Sequence, residues 1–484
     1  MAAAIDEEPL ELDYADWTFL AEGNAHVLLV SSHSCEGKVL RIPKRVPLET
    51  VSTANFLTHV ASPLLGRQYI LFPRFIQLSE EFIAALKRAV ATSAPAEGRR
   101  QWDTDGITFP WMAELLPDCF SPYIIPKHLP RGVSSELLSV ELKVKGGLLS
   151  YSPFLQGASL IKLRRSRFQL LHAYKHYIKH RSFDGYNVPS YRPSDLCSGD
   201  SHKIHEALLS LLRNPGNNLS IWRDGHRIFG DDIGTVDDVS RVWSSFLGDI
   251  YPEDAVGSFL ATISELLGKE TALTRLQRMQ AFDVIDCEGC AVVFDRLASL
   301  YGGKDAALEL LRNSVGDPFP FHLNELSDML SEASLPSMPS SGEQASDFGV
   351  VAVFRSLSVS AFLSEREVGD RHAAAMTRVA CLGPSECVTL LRLWLISLTA
   401  KDASLILTLV KEPGSHPETS YSGQGAMIVK TSDEGCGVVL CCGYRLDYAL
   451  KFVDINCKPA EKCDSKRSSE TRMLSILASY PTSV

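Results

Sequence analysis

The sequence has no long hydrophobic run. Its longest apolar stretches, of which Leu391–Leu398 is typical, are short and interrupted, whereas a bilayer-spanning helix needs ~20 apolar residues. Met1–Tyr14 is acidic and lacks the apolar segment of a secretory signal. The expectation is therefore an intracellular protein, cytoplasmic or nuclear, with no membrane partner. Positive charge is in deficit: 48 Lys and Arg stand against 58 Asp and Glu, a formal net charge of −10. That balance argues against a general nucleic-acid binder, but a local group of cations can still hold a small anion. Several signatures are missing as well. There is no G-x-x-x-x-G-K-[ST] and no G-x-G-x-x-G, no H-E-x-x-H, no G-x-S-x-G and no H-R-D. Their absence disfavours P-loop and dinucleotide sites, zinc peptidases, α/β-hydrolases and protein kinases.

What is present is ordinary for a globular enzyme: 484 residues, 45% hydrophobic and 22% charged, enough for roughly two or three domains. The 12 cysteines read as reduced thiols. Cys287 and Cys290 form one C-x-x-C, and Cys441 and Cys442 are adjacent. Structural zinc usually takes two such pairs or paired histidines, so these cysteines are read as packing residues and no zinc is expected.

The opening reads as a small β-rich region. AHVLLVS (residues 25–31) and GKVLRI (37–42) flank a turn-like segment, a hairpin pattern. Ser79–Thr92 repeats apolar residues at helical spacing. Ile107–Leu116 is extended, and Val140–Lys145 alternates as a strand, with Glu141, Lys143 and Lys145 on one face. Helices are expected at about Leu163–His180, at Glu206–Arg213, at Ala255–Leu267, and from Thr271 to about Tyr301 with a break near Cys287–Gly289. Ser331–Ser346 is Ser/Pro-rich and expected to be a disordered loop. Strands return at Ala403–Val410, Gly437–Cys442 and Ala449–Asn456, with a long loop over Lys411–Glu434. The pattern is α/β or α+β, with β-rich ends and a helical middle.

Four groups of residues can carry chemistry. Thr399-Ala400-Lys401-Asp402 precedes an apolar strand; it is either a solvated turn or a site where Asp402 orients or deprotonates a hydroxyl. Asp454 reads as lying inside an apolar strand, where an unpaired charge is costly. Its partner is a magnesium ion, with Asn456 two residues on, or else a neighbouring lysine or backbone group. Glu141, Lys143 and Lys145 make an exposed sheet face or a phosphate clamp. Finally, Lys162, Arg164, Arg165, Arg167, Lys175 and Lys179 form a basic segment in which Arg167, Leu171, Lys175 and Lys179 recur every four residues. Such cations repel one another unless solvated or neutralised by an anion.

In this order, the segments resemble the inositol-pentakisphosphate 2-kinase family from Trp17 to about Pro459. EGN followed by GKVLRI looks like its opening hairpin. SVELKVKGG is similar to its E-I-K-P-K-x-G strand, and RSRFQLLHAYK to its S-R-F-x-M-H-x-x-x-K helix. RPSDLCSGD, NNLSIWRDG, DVIDCEG, LTAKDASLIL and VDINCKP match further motifs in sequence. The resemblance implies a two-lobed, kinase-like fold: residues 1–118 form a small N-lobe whose Leu115–Asp118 hinge reads adenine, and 119–484 form a larger C-lobe. It implies ATP and Mg²⁺ as cofactors and an inositol polyphosphate as acceptor, in a monomer. Gly23, Asn24, Arg41, Asp118 and Glu141 would serve the nucleotide, and Asp454 the metal, with Asn456 beside it. Asp402, flanked by Lys401, would face the acceptor hydroxyl. Lys143, Lys145, Arg167, Lys175, Asn217, Asn218 and Lys458 would grip the acceptor. Departures fall on the acceptor side. The family's histidine falls on Leu171, with His172 one residue, ~100° of helix, further round. Ser220 replaces a basic residue, Val144 replaces a proline, and Lys462 and Lys466 stand near positions where the family has Arg and Tyr. These changes leave room for a kinase of relaxed specificity, or for a binding protein that keeps the fold.

Overall fold

The computed structural model describes residues 12–22, 26–31, 37–44, 50–92, 111–125, 136–248, 254–331, 349–411, 426–431 and 435–479. Two antiparallel sheets organise them. The N-terminal sheet has five strands: β1 (Trp17–Glu22), β2 (His26–Ser31), β3 (Lys38–Pro43), β4 (Arg74–Leu78) and β5 (Trp111–Pro117), in the order β1-β2-β3-β5-β4. It closes over its own core of Val27, Leu29, Leu40, Ile42, Ile76 and Trp111, capped by Phe82, Ile83 and Leu86 of the Glu80–Thr92 helix. The periodicity of that helix was legible because one stripe of it is buried.

The second sheet has seven strands: β6 (Glu136–Lys143), β7 (Leu219–Arg223), β8 (His226–Phe229), β9 (Ser404–Lys411), β10 (Ala426–Thr431), β11 (Cys436–Cys441) and β12 (Tyr444–Val453), in the order β10-β11-β12-β9-β6-β7-β8. β9 is buried at every residue. It lies between β12 and β6, covered on both faces, so its sequence SLILTLVK does not alternate. The Pro384–Ala400 helix, which feeds it, is almost wholly buried, as expected of a helix apolar on all sides, and starts with proline at its first turn. The fold is α+β.

Several expectations are corrected. β10 lies within the stretch read as one long loop, because its pairing with β11 outweighs the Gly, Ser and Pro around it. The helical stretch after Thr271 breaks at residues 281–285, before Asp286, which has a left-handed φ of 54°. Cys287–Gly289 sit inside the Asp286–Leu300 helix instead. Gly289 is required there by packing: a Cβ would meet the Phe154 ring at 2.3 Å. The helix expected from Leu163 begins at Arg167, where Ser166 and Gln169 form a capping box, after a 3₁₀ segment at Gly157–Leu163. β6 ends at Lys143, so Val144 and Lys145 lie just beyond it. Most of the Ser331–Ser346 segment lies outside the described residues.

The helical residues between β3 and β4 do not pack on the N-terminal sheet. Phe56, Val60 and Leu64 join the large second core. Tyr69 and Tyr448 both donate to the carboxylate of Glu270, at 2.5 and 2.7 Å, and Lys451 donates to the Gln68 carbonyl at 2.6 Å.

Candidate active site

The register of three neighbouring strands builds the site. Lys143 at the end of β6 pairs with Ser404 at the start of β9, and Ser404 pairs with Val453 at the end of β12. The residues just beyond these ends, Lys145, Asp402 and Asp454, therefore emerge at one end of the sheet. The sequence hinted at this for Lys145 and Asp402, which it put at the end and entry of apolar strands, but not for Asp454.

Asp402 accepts an ion-paired contact from Lys458 at 2.9 Å. Burial alone raises its pKa, but Lys458, then Lys145 and Lys466, more than offset this and hold the carboxyl below the usual range. Lys145 is half-buried. Burial lowers its pKa, as do Lys143, Lys458 and Lys175, while Asp402 works the other way. Like-charged ammonium groups gathered around one carboxylate leave a surplus of positive charge, which suits a polyanion. Lys143 donates to Asn217 at 3.2 Å and lies 3.5 Å from Glu141, so the asparagine pair of NNLSIW joins the same group. Asn217 is exposed and Asn218 half-buried. Lys175 is exposed on the Arg167–His180 helix.

Other expected residues have commitments of their own. Arg167 is held by Glu470 at 2.5 Å. Lys401 turns away from Asp402 and pairs with Asp283. Arg41 pairs with Glu114 across β3 and β5, and its other nitrogen lies 3.7 Å from Asp454. It thus links the N-terminal sheet to the end of β12. Asp454 is not inside a strand: it follows β12, is exposed, and has a φ of 61°. Solvent, rather than a buried partner, relieves its charge. Asn456 follows in irregular, half-buried chain, so strand alternation does not place it beside Asp454. Asp118 is buried and folded onto its own turn, accepting from the Phe120 N–H at 2.8 Å; burial raises its pKa and that bond opposes the rise. Gly23 and Asn24 lie outside the described residues.

The departures have local explanations. Leu171 packs against an apolar cluster with Leu170, Phe183 and Leu474. His172 faces the rings of Phe168 and Tyr186, where burial lowers its pKa. Ser220 sits on β7 opposite Glu141.

Three residues position the site. The Gln280 amide, which had no sequence signal, donates to the carbonyls of both Val144 and Ala400, each at 3.2 Å, and so ties the Lys145 segment to the Asp402 segment. Thr399, within the TAKD motif, accepts from the Lys458 N–H at 3.0 Å and donates to Leu395. Asp283, the first residue of DVIDCEG, takes Lys401. Gln280 ends the helix before the break and Asp283 lies within it.

Behind the site lies a second charged group. Lys162, read as part of a basic surface, is buried; its ammonium lies 3.0 Å from Asp286, 3.0 Å from Glu288 and 3.4 Å from Glu470. Asp286, Cys287 and Glu288 form the one cluster of metal-ligand type among the described residues, and the Lys162 ammonium sits against all three. A fixed cation thus stands where a metal ion would.

The chain matches the family model described as inositol-pentakisphosphate 2-kinase over residues 19–472. It is similar to an inositol-pentakisphosphate 2-kinase of Arabidopsis thaliana, 22% identical over 96% of this chain and 94% of that protein. A similar protein of Oryza sativa subsp. indica is 26% identical over 60% of this chain and 70% of its own length. One of Danio rerio is 27% identical over 48% of each. A family match across almost the whole length means that the chain belongs to the inositol-pentakisphosphate 2-kinase family.

Proposed function

We propose that this kinase transfers the γ-phosphate of ATP to the 2-hydroxyl of inositol 1,3,4,5,6-pentakisphosphate, giving the hexakisphosphate, with Asp402 facing that hydroxyl. The observation that carries the reading is the meeting of Asp402, Lys145 and Lys458 at the sheet end from which Asp454 reaches Arg41. Phosphoryl transfer needs positioning and charge control more than covalent work by the protein. Lys143, Lys145, Lys175 and Lys458, with Asn217 and Asn218, bind the acceptor phosphates. Arg167, already paired with Glu470, shapes the wall of that site. Lys401 braces the Asp402 turn through Asp283.

Asp402 is ionised at neutral pH and a weak base. It accepts a hydrogen bond from the acceptor hydroxyl, orients it, and takes its proton as the phosphorus–oxygen bond forms. An incoming phosphate draws Lys458 away, which frees a lone pair on Asp402. On the donor side Arg41 meets the ATP phosphates, with Gly23 and Asn24 over them, and the Asp118 and Glu141 segments border the nucleotide. Asp454 fits magnesium: an exposed carboxylate is a hard oxygen ligand. Magnesium there would neutralise charge on the transferring phosphates. The described cysteines are free thiols, which suits the reducing cytoplasm or nucleus.

The test is phosphorylation of a panel of inositol phosphates with ATP and Mg²⁺, the products separated by anion exchange. Conversion of the 1,3,4,5,6-pentakisphosphate alone is expected. Leu171 and Ser220 favour a second reading, a kinase of broader acceptor range, since an apolar side chain and a neutral hydroxyl stand where the family has a histidine and a basic residue. Turnover of several acceptors at similar rates would establish it. Binding without turnover would leave a scaffold and overturn both.

A further inference from the structure

β11 and β12 are joined by a two-residue turn. Cys441 pairs with Tyr444 across the hairpin, and the intervening Cys442 and Gly443 both take left-handed φ, 49° and 82°. Positive φ at both central residues is the pattern of the tight hairpin turns that favour Asn-Gly or Gly-Gly. A non-glycine residue at positive φ is uncommon, so Cys442 is an unusual occupant. The turn leaves the two sulfurs 3.8 Å apart, Cys441 buried and Cys442 half-buried.

The surroundings divide the two thiols. Ser258, on the Ala255–Lys269 helix, lies 3.2 Å from the Cys442 sulfur and 3.8 Å from that of Cys441. Its oxygen already accepts from the Trp243 indole N–H at 3.3 Å, so its own proton is available to the nearer sulfur, Cys442. Thr262 lies 3.0 Å from the Cys441 sulfur but donates its proton to the Ser258 carbonyl at 2.8 Å. Thr262 therefore has no proton left for that sulfur, and Cys441 donates its own to Cys442. The arrangement favours a thiolate at Cys442 and a protonated thiol at Cys441. In keeping with it, the Cys442 pKa is lowered to about 6, chiefly by the hydrogen bond from Cys441 and against the effect of burial. Burial and the Cys442 contact hold Cys441 well above an ordinary thiol.

We propose that Cys442 and Cys441 form a thiol–disulfide exchange site for small disulfide oxidants of the glutathione type, with Cys442 as the attacking thiol and Cys441 as the resolving one. An accessible thiolate beside a second thiol is the common arrangement of redox-responsive cysteines. The Cys442 thiolate attacks one sulfur of the oxidant, forming a mixed disulfide and expelling one thiolate. The Cys441 thiol then gives up its proton and attacks the Cys442 sulfur; the protein S–S bond forms and the second thiolate leaves. The protein loses two protons and two electrons, and one disulfide becomes two thiols. Adjacent Cα atoms lie about 3.8 Å apart, closer than the roughly 4.4–6.8 Å usual for a disulfide. The closed ring is therefore readily reduced again, as a reversible modification requires.

The experiment exposes the full-length protein to glutathione disulfide at neutral pH, alkylates the remaining thiols, and maps the cysteines by mass spectrometry. In the unsubstituted protein the peptide carrying residues 441 and 442 should lose two hydrogens and regain them with dithiothreitol. Exposed Cys381 serves as reference and should carry only the adduct. Cys441→Ser should stop at a glutathione adduct on Cys442, and Cys442→Ser should leave residue 441 unmodified. A pair left untouched while Cys381 reacts, or an adduct on Cys442 that never closes in the unsubstituted protein, would overturn the assignment.

Discussion

Two clusters of charge lie close together in this molecule and are built in opposite senses. Around Asp402 one carboxylate faces Lys458, Lys145 and Lys466. Around Lys162 one ammonium faces Asp286, Glu288 and Glu470. The first is open to solvent and carries surplus positive charge. The second is buried, and its remaining acid is shared with Arg167. The same residue types thus stand open to solvent in one place and closed within the scaffold in the other, and composition does not tell them apart. What separates them is whether the counter-charges are supplied from within the chain.

The comparison can be broken most sharply at its two central residues. Asp402→Ala should lower kcat by about 10²–10⁴-fold, the usual worth of a positioned general base, with ATP affinity by calorimetry unchanged. Normal turnover would remove Asp402 from the chemistry. Lys162→Met should act on stability instead. Removing one partner of a buried ionic group costs about 3–5 kcal/mol, read as a lower Tm. The same variant tests pH dependence. Asp286 and Glu470 are held below ordinary carboxylates: burial raises each, and Lys162 with Lys401 or Arg167 more than compensates. A depressed folded pKa stabilises above the unfolded value and is lost as pH falls through the folded one. Lys162→Met should therefore move the acid-unfolding midpoint to higher pH, and an unchanged midpoint would show that the network contributes little.

Smaller effects sharpen the contrast. Lys143→Ala combined with Lys145→Ala should raise the acceptor KM by more than about tenfold, since bonds to charged groups are worth about 1.5–3 kcal/mol each, and the ATP KM much less. Equal loss for both ligands would mean that this edge faces something else. Finally, raising ionic strength from about 0.05 to 0.5 M should weaken acceptor binding several-fold while leaving Tm nearly constant, because screening acts on exposed charges far more than buried ones. A parallel fall in both would contradict the division.

Part of the grouping of charges at this sheet end was legible in sequence. SVELKVKGG and LTAKDASLIL each place charged residues where an apolar strand begins or ends, and the antiparallel register of β6, β9 and β12 brings those ends together. Lys162 was misread because sequence neighbours share a count of charges but not a direction: Arg164 is exposed two residues away. Asp454 looked buried because VDIN continues an apolar strand, and no pattern announced its positive φ. Gln280 was invisible for a further reason. Its partners are backbone groups, and a bond to backbone leaves no mark on the identity of the residue it holds.

Gln280 has one more consequence. Its two amide protons span the gap between the carbonyls of Val144 and Ala400, acting as a caliper set between the phosphate grip and the acid. On the proposed function, the reach from a bound phosphate to the reacting hydroxyl would be gauged by this buried side chain. Glutamate there would turn lone pairs against lone pairs and spring the caliper open. The choice of ring position could thus be retuned from behind, with every ligand contact left as it is.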